Sequence, residues 1–93
     1  MIRMHLVQLR LTRPAGPAPH EADAHLIHDV LWALAPPGAG IEHIRARAGP
    51  DGIDLTFFLR NDIPDPDRHA RTLLATLAHT SPALSAWSIS TAR

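Results

Sequence analysis

Two alternating segments joined by one short turn constrain the fold of this chain more than any other feature. Residues 41–48 and residues 53–60 each alternate apolar side chains with polar or charged ones. A period of two is typical of a β-strand with one buried face. The residues between them, Gly49-Pro50-Asp51-Gly52, predict a turn in which glycine supplies a positive φ and proline fixes its own. The two segments therefore predict an antiparallel β-hairpin.

A helix is predicted on either side of this hairpin. Residues 20–35 carry apolar side chains at helical spacing until a Pro-Pro-Gly sequence ends the pattern. Residues 66–80 follow Asp65, a favourable N-cap, and place Pro66 at the first helical position. The side chains expected to face the core are Ile27, Val30, Leu31 and Leu34 in the first helix and Ala70, Leu73, Leu74 and Leu77 in the second.

A first strand is predicted over residues 2–12, before a proline-rich loop at residues 13–19. One set of apolar side chains alternates with polar ones and is expected to face inward: Val7, Leu9 and Leu11. A second set falls on the opposite phase: Ile2, Met4 and Leu6. The two sets together predict either a β-bulge or a strand that is buried on both faces.

A last strand is predicted over residues 83–90, after Pro82 has ended the second helix. Trp87 and Ile89 are expected to face inward. The element order is then β-α-β-β-α-β, which is that of an α+β, ferredoxin-like two-layer sandwich. We expect residues 1–93 to form one such domain, a four-stranded antiparallel sheet with both helices on one face.

Composition excludes several kinds of chemistry. Cysteine, lysine and tyrosine are absent, so disulfides, thiolate ligands and Schiff-base lysines are ruled out. Nine arginines balance nine acidic residues, and a net charge of zero disfavours a nucleic-acid partner. The lysine-free composition is typical of a GC-rich bacterial genome. No apolar run is long enough to span a bilayer or to form a signal peptide, so we expect a cytoplasmic protein with no membrane contact.

The sheet face away from the helices is the predicted functional surface. It is expected to carry Gln8, Arg10, His43, Arg45, Arg47, Asp54, Thr56, Phe58 and Arg60, with Leu84, Ala86, Ser88 and Ser90 from the last strand. A short antiparallel sheet gains by covering such a face. We therefore expect a homo-oligomer, with a dimer favoured.

Some of the seven histidines are candidate metal ligands or bases. His25 and His28 stand at the spacing of two metal ligands on one helix face, but no third ligand follows at a recognised spacing, so we expect neither metal nor cofactor. Trp32 continues the same stripe and indicates a contact surface. His5 and His43 are candidates for binding or base chemistry, whereas the second-helix histidines, His69 and His79, are expected to be solvated.

Three classes of function remain open on the sequence. The first is a non-catalytic interaction or accessory module that self-associates and binds a protein, a peptide or a small ligand. The residues expected to carry it are Arg10, Trp32, His43, Arg45, Arg47, Thr56, Phe58 and Arg60. The second is a cofactor-independent dimeric enzyme that resembles the small antibiotic-biosynthesis monooxygenases, using His43, Trp32 and Phe58. The third is an RNA-binding sheet, which is disfavoured because the first strand offers no aromatic side chain.

Overall fold

Seven elements follow one another in the computed structural model, which describes residues 4–13 and 16–91. They are β1 (Met4–Thr12), α1 (Glu21–Leu34), β2 (Ile41–Ala48), β3 (Ile53–Arg60), α2 (Pro66–Thr80), α3 (Pro82–Ser85) and β4 (Ser88–Thr91). The predicted strand residues 2 and 3 and the predicted loop residues 14 and 15 lie outside the described residues.

The four strands form one antiparallel sheet in the order β2-β3-β1-β4. β1 and β3 are central, and the β-α-β-β-α-β order of the main elements confirms the predicted α+β, ferredoxin-like sandwich. The β1–β3 register runs without interruption from Met4 opposite Arg60 to Leu11 opposite Ile53. The β2–β3 pairing has one irregularity between Ile41 and His43, where Glu42 is the extra residue.

The core lies between the sheet and the helices. Alternate side chains of the three longer strands are buried against α1, α2 and α3, as the strand period requires. The largest fully buried side chains are Leu9, Leu11, Ile27, Leu31, Ile44, Ile53, Leu55, Phe57, Leu59, Leu74 and Leu84. The opposite sheet face is left without a covering layer among the described residues.

Both long helices begin at side-chain caps. The Asp23 carboxylate accepts a hydrogen bond from the His20 backbone N–H at 2.8 Å, which fixes the first turn of α1. Asp65 accepts from the Arg68 backbone N–H at 3.3 Å, and Pro66 occupies the first turn of α2, as predicted. In the described part of the chain no helix is long and apolar enough to cross a membrane.

The turn between β2 and β3 forms as predicted, but the backbone conformation of its glycines differs from the prediction. The Gly49 N–H donates to the Gly52 carbonyl oxygen at 2.8 Å and closes the hairpin. Neither glycine has a positive φ, which among described residues is found at Gly16 and Gly40. Gly52 is required for space instead, because a Cβ there would collide with the backbone oxygen of Leu11.

The predicted last strand is wrong over its first half. Residues 82–85 form α3, and Pro82 is the first residue of that helix rather than only the end of α2. The backbone N–H groups of Leu84 and Ser85 both donate to the Ser81 carbonyl oxygen, at 3.1 and 3.0 Å. The strand itself begins only at Ser88, and Trp87 and Ile89 are half-buried against the core, as expected.

Two predictions of buried side chains are also wrong. β1 has neither a bulge nor two buried faces: its register is regular, and Met4 and Leu6 are 47% and 61% exposed. Leu34, the last residue of α1, is 43% exposed, whereas Ala24, Ile27 and Leu31 in the earlier turns of the helix are buried.

Candidate functional site

The uncovered side of the sheet, called the open face below, is built by the outward side chains of all four strands. All nine residues predicted there from the first three strands lie on it, together with Ser88 and Ser90. Leu84 does not, because it is fully buried in α3, and Ala86 precedes β4 rather than forming part of it. Met4, Leu6 and Thr12 belong to the same outward phase of β1 and join the set.

One end of the open face is apolar. Leu6 in β1 pairs with Phe58 in β3, which in turn pairs with His43 in β2, so the three side chains form one row across the sheet. The His43 and Phe58 rings are 5.2 Å apart between centroids and inclined at 56°, a tilted aromatic contact. Met4 flanks this row one step along β1. These four residues, Met4, Leu6, His43 and Phe58, are called the apolar end.

The other end of the open face carries charge. Arg47, Asp54 and Arg10 form a row from β2 through β3 to β1, and Arg10 continues it to Ser90 in β4. The Arg10 Nε donates to Asp54 Oδ1 at 2.8 Å. That hydrogen bond, reinforced by the charge of Asp54, raises the pKa of Arg10. The Asp54 carboxylate is thereby already matched by Arg10.

A depression of about 420 Å³ lies beside that row. It is lined by Gln8, Glu21, Arg45, Arg47, Ala48, Asp54 and Thr56. Arg45 pairs in register with Thr56, and Thr56 with Gln8, so a second polar row borders the first. Arg45, Arg47, Gln8, Thr56 and Arg10 are called the arginine end.

Two further carboxylates near the open face, those of Glu21 and Asp62, have partners of their own. Glu21, at the start of α1, accepts through Oε1 from the Ala48 backbone N–H at 3.1 Å, which caps the free edge of β2. Asp62, beyond the end of β3, accepts from the Arg60 Nε at 3.2 Å. Arg60 is therefore balanced by its own neighbour, on the apolar side of the face.

Trp32 is separated from the other predicted site residues. It is exposed on α1, in the helical layer, as are Leu26 and Leu34. His43 and Phe58 lie on the opposite side of the sheet, because their neighbours Ile44 and Phe57 are the ones buried under the helices. The sheet thus separates the three residues required by the enzyme interpretation.

The remaining histidines occupy different places. His5 lies at the start of β1, where its Nε2 is 3.1 Å from the Asn61 carbonyl oxygen. The Nδ1 of His28 lies 3.3 Å from Asp29 Oδ1, and the described residues contain no group of three side chains suited to hold a metal. His69 was predicted to be solvated, but it is half-buried. Its Nε2 lies 2.6 Å from the Ala39 carbonyl oxygen and ties α2 to the segment before β2.

Met4 and Leu6 are the apolar surface residues that the sequence prediction did not assign to the open face. The alternation of β1 contained the signal, since both residues are out of phase with Val7, Leu9 and Leu11. Apolar side chains were expected to be buried, and this expectation led to the prediction of a bulge or of a strand buried on both faces instead of an exposed patch.

The chain matches no family model, no curated protein and no solved structure. Its residues and their geometry therefore carry the functional argument.

Proposed function

We propose that this protein is a small non-catalytic interaction module that self-associates through its open face and binds a further partner or small ligand there. A cytoplasmic location remains part of that proposal, on the grounds of composition alone. The observation that carries it is the exposure of Leu6, 61%, and Met4, 47%, next to Phe58 on a sheet face that is otherwise polar.

The apolar end is the first support for self-association. Side chains of this size gain about 1.5–3 kcal/mol each when they leave water completely. The patch is contiguous, since Leu6, Phe58 and His43 are direct neighbours across three strands. Contiguous exposed apolar surface with a polar border is typical of contact sites between proteins.

The nature of the surface favours a second copy as the occupant. None of the four side chains of the apolar end carries a carboxylate or a guanidinium group, and Arg60, which pairs in register with Met4, is matched by Asp62. Two such patches can therefore meet without either kind of charged group from the patch itself being buried between them. A two-fold contact between identical patches is the commonest arrangement of soluble oligomers, and it would cover the face that the helices leave open.

The placement of the enzyme candidates supports a non-catalytic role. Pocket chemistry between sheet and helices would need His43, Phe58 and Trp32 around one cavity. The sheet lies between Trp32 and the other two, and the space under the helices is filled by fully buried side chains such as Phe57 and Leu31.

Leu6→Glu tests the proposal. Charge placed in the centre of the apolar end is expected to dissociate the dimer, because a buried carboxylate without a partner is strongly unfavourable. Sedimentation equilibrium over a range of protein concentrations measures the association constant. Leu26→Glu is the matched control, since Leu26 is 55% exposed on α1 in the helical layer and its replacement is expected to leave association unchanged.

Two results would contradict the proposal. A wild-type protein that sediments as a monomer at every concentration removes the self-association. A dimer that is lost in Leu26→Glu and kept in Leu6→Glu moves the interface to α1, away from the open face.

A further inference from the structure

We infer that the arginine end of the open face is a binding site for a small oxyanion, such as the carboxylate or phosphate group of a metabolite. This inference deepens the ligand-binding part of the proposed function and does not need the self-association part. It rests on the charges, pairing and shape of one depression between β1, β2 and β3.

The open face carries more arginines than acidic partners to pair with them. The open face carries four arginines and one aspartate: Arg10, Arg45, Arg47, Arg60 and Asp54. Arg10 is paired with Asp54 and Arg60 with Asp62. Neither Arg45 nor Arg47 has a hydrogen bond or an ion pair with any residue in the described ranges 4–13 and 16–91. The unbalanced positive charge of the face is therefore concentrated on β2.

The second step is that this charge lines a concave site. Arg45 and Arg47 stand two residues apart on the same side of β2, so their Cα atoms are about 6.6–6.8 Å apart, as in any extended strand. Both line the depression of about 420 Å³. Each guanidinium presents five N–H donors in a planar fork, which matches the paired oxygens of a carboxylate or a phosphate.

The third step is that the neighbouring groups favour an anion. Thr56 and Gln8 continue the row from Arg45 and add neutral side-chain donors. The two carboxylates of the lining have partners other than Arg45 and Arg47: Asp54 is paired with the Arg10 guanidinium, and Glu21 accepts a hydrogen bond from the neutral Ala48 backbone N–H and keeps its negative charge. Among the described residues neither carboxylate forms an ion pair with Arg45 or Arg47, so both guanidinium groups remain available to a ligand.

The small number of unpaired arginines indicates what kind of anion the site would bind. The chain has a net charge of zero, and only two arginines of the open face lack an acidic partner. A polyanion such as RNA is held by many cationic contacts along its backbone. Two adjacent guanidiniums in one depression suit a single oxyanion group, with the rest of the depression available for a small polar molecule.

The test is a titration of the wild-type protein with inorganic phosphate and, separately, with malonate, at constant ionic strength. Amide chemical shifts of residues 45–47 and 54–56 are expected to move and to saturate. Arg45→Gln and Arg47→Gln are each expected to weaken binding about 10-fold, the loss typical of removing a charged hydrogen-bond donor. Arg68→Gln, which removes the same charge from α2, is the matched control and is expected to change affinity less than about 2-fold. The phosphate and malonate arms distinguish the two sources of the oxyanion.

Three outcomes would overturn the inference. Shifts that do not saturate, or that Arg68→Gln reduces as much as Arg45→Gln does, indicate nonspecific screening. A single-stranded oligonucleotide could instead bind tightly through Arg45 and Arg47, with a steep salt dependence, while phosphate and malonate show no saturable binding. That result would assign the open face to nucleic-acid binding. The Leu6→Glu variant separates this inference from the proposed function, because anion binding is expected to persist in it whether or not the protein self-associates.

Discussion

Gly52 lies where the β2–β3 turn crosses the end of β1, and a Cβ there meets the backbone oxygen of Leu11 and the Arg10 side chain. Gly52→Ala is expected to lower the free energy of unfolding by about 1–3 kcal/mol, the cost of overpacking a tight site. Gly38→Ala is the control, because nothing lies within 4 Å of an added Cβ there, and its effect is expected to stay within about 1 kcal/mol. Urea unfolding of both variants measures the difference, and equal midpoints would contradict the close approach.

Gly52 also shows how much of a single residue's role can be predicted from the sequence. That residues 49–52 form a turn could be predicted from the Gly-Pro-Asp-Gly run alone. The reason why Gly52 must be glycine could not, because the obstructing oxygen belongs to Leu11, far away in the chain. His69 is a second example, since its hydrogen bond to Ala39 depends on how α2 packs rather than on its neighbours in sequence.

At the scale of elements, the placement of Leu84 in α3 can be tested directly, because the sequence predicted a strand at residues 83–85. Leu84→Ala is expected to destabilise the protein by about 2–5 kcal/mol, the usual cost of a cavity in place of a buried leucine. Leu34→Ala removes the same atoms from a leucine that is 43% exposed and is expected to cost no more than about 0.5 kcal/mol. Thermal or urea unfolding compares the two. A similar loss in both variants would place Leu84 on the surface, where the sequence prediction had put it.

The bounds of β2, β3 and α2 agree with the sequence prediction because each of these elements carries a clear period and a strong boundary signal. Asp65 and Pro66 start α2, and the hairpin turn separates β2 from β3. Pro82 was an ambiguous signal, because proline can end one helix and is also favoured at the first position of the next helix. A four-residue helix such as α3 is too short to show a period, so the sequence could not distinguish it from a strand.

At the scale of the whole molecule, the open face could be predicted but its division could not. Element order placed both helices on one side, and the alternation within each strand identified nine of the outward residues. The apolar end and the arginine end emerge only from the register, which sets Leu6 beside Phe58 and Arg10 beside Asp54. Pairing also decides which arginines are balanced, and that depends on side-chain geometry that no spacing rule contains.

The division of the open face predicts how salt affects self-association. Contact between two open faces brings together surfaces on which Arg45 and Arg47 have no acidic partner among the described residues. Like charges repel less when salt screens them, so the association constant is expected to rise with sodium chloride concentration.

The Arg45→Gln/Arg47→Gln double variant is expected to associate about 2- to 5-fold more tightly than wild type at low salt, given about 0.2–1 kcal/mol for exposed charge interactions. It is also expected to respond less to salt, whereas Arg68→Gln should behave like wild type. Sedimentation equilibrium at several salt concentrations measures all three proteins. An association constant that falls with salt would mean that opposite charges meet in the dimer, and it would contradict this prediction.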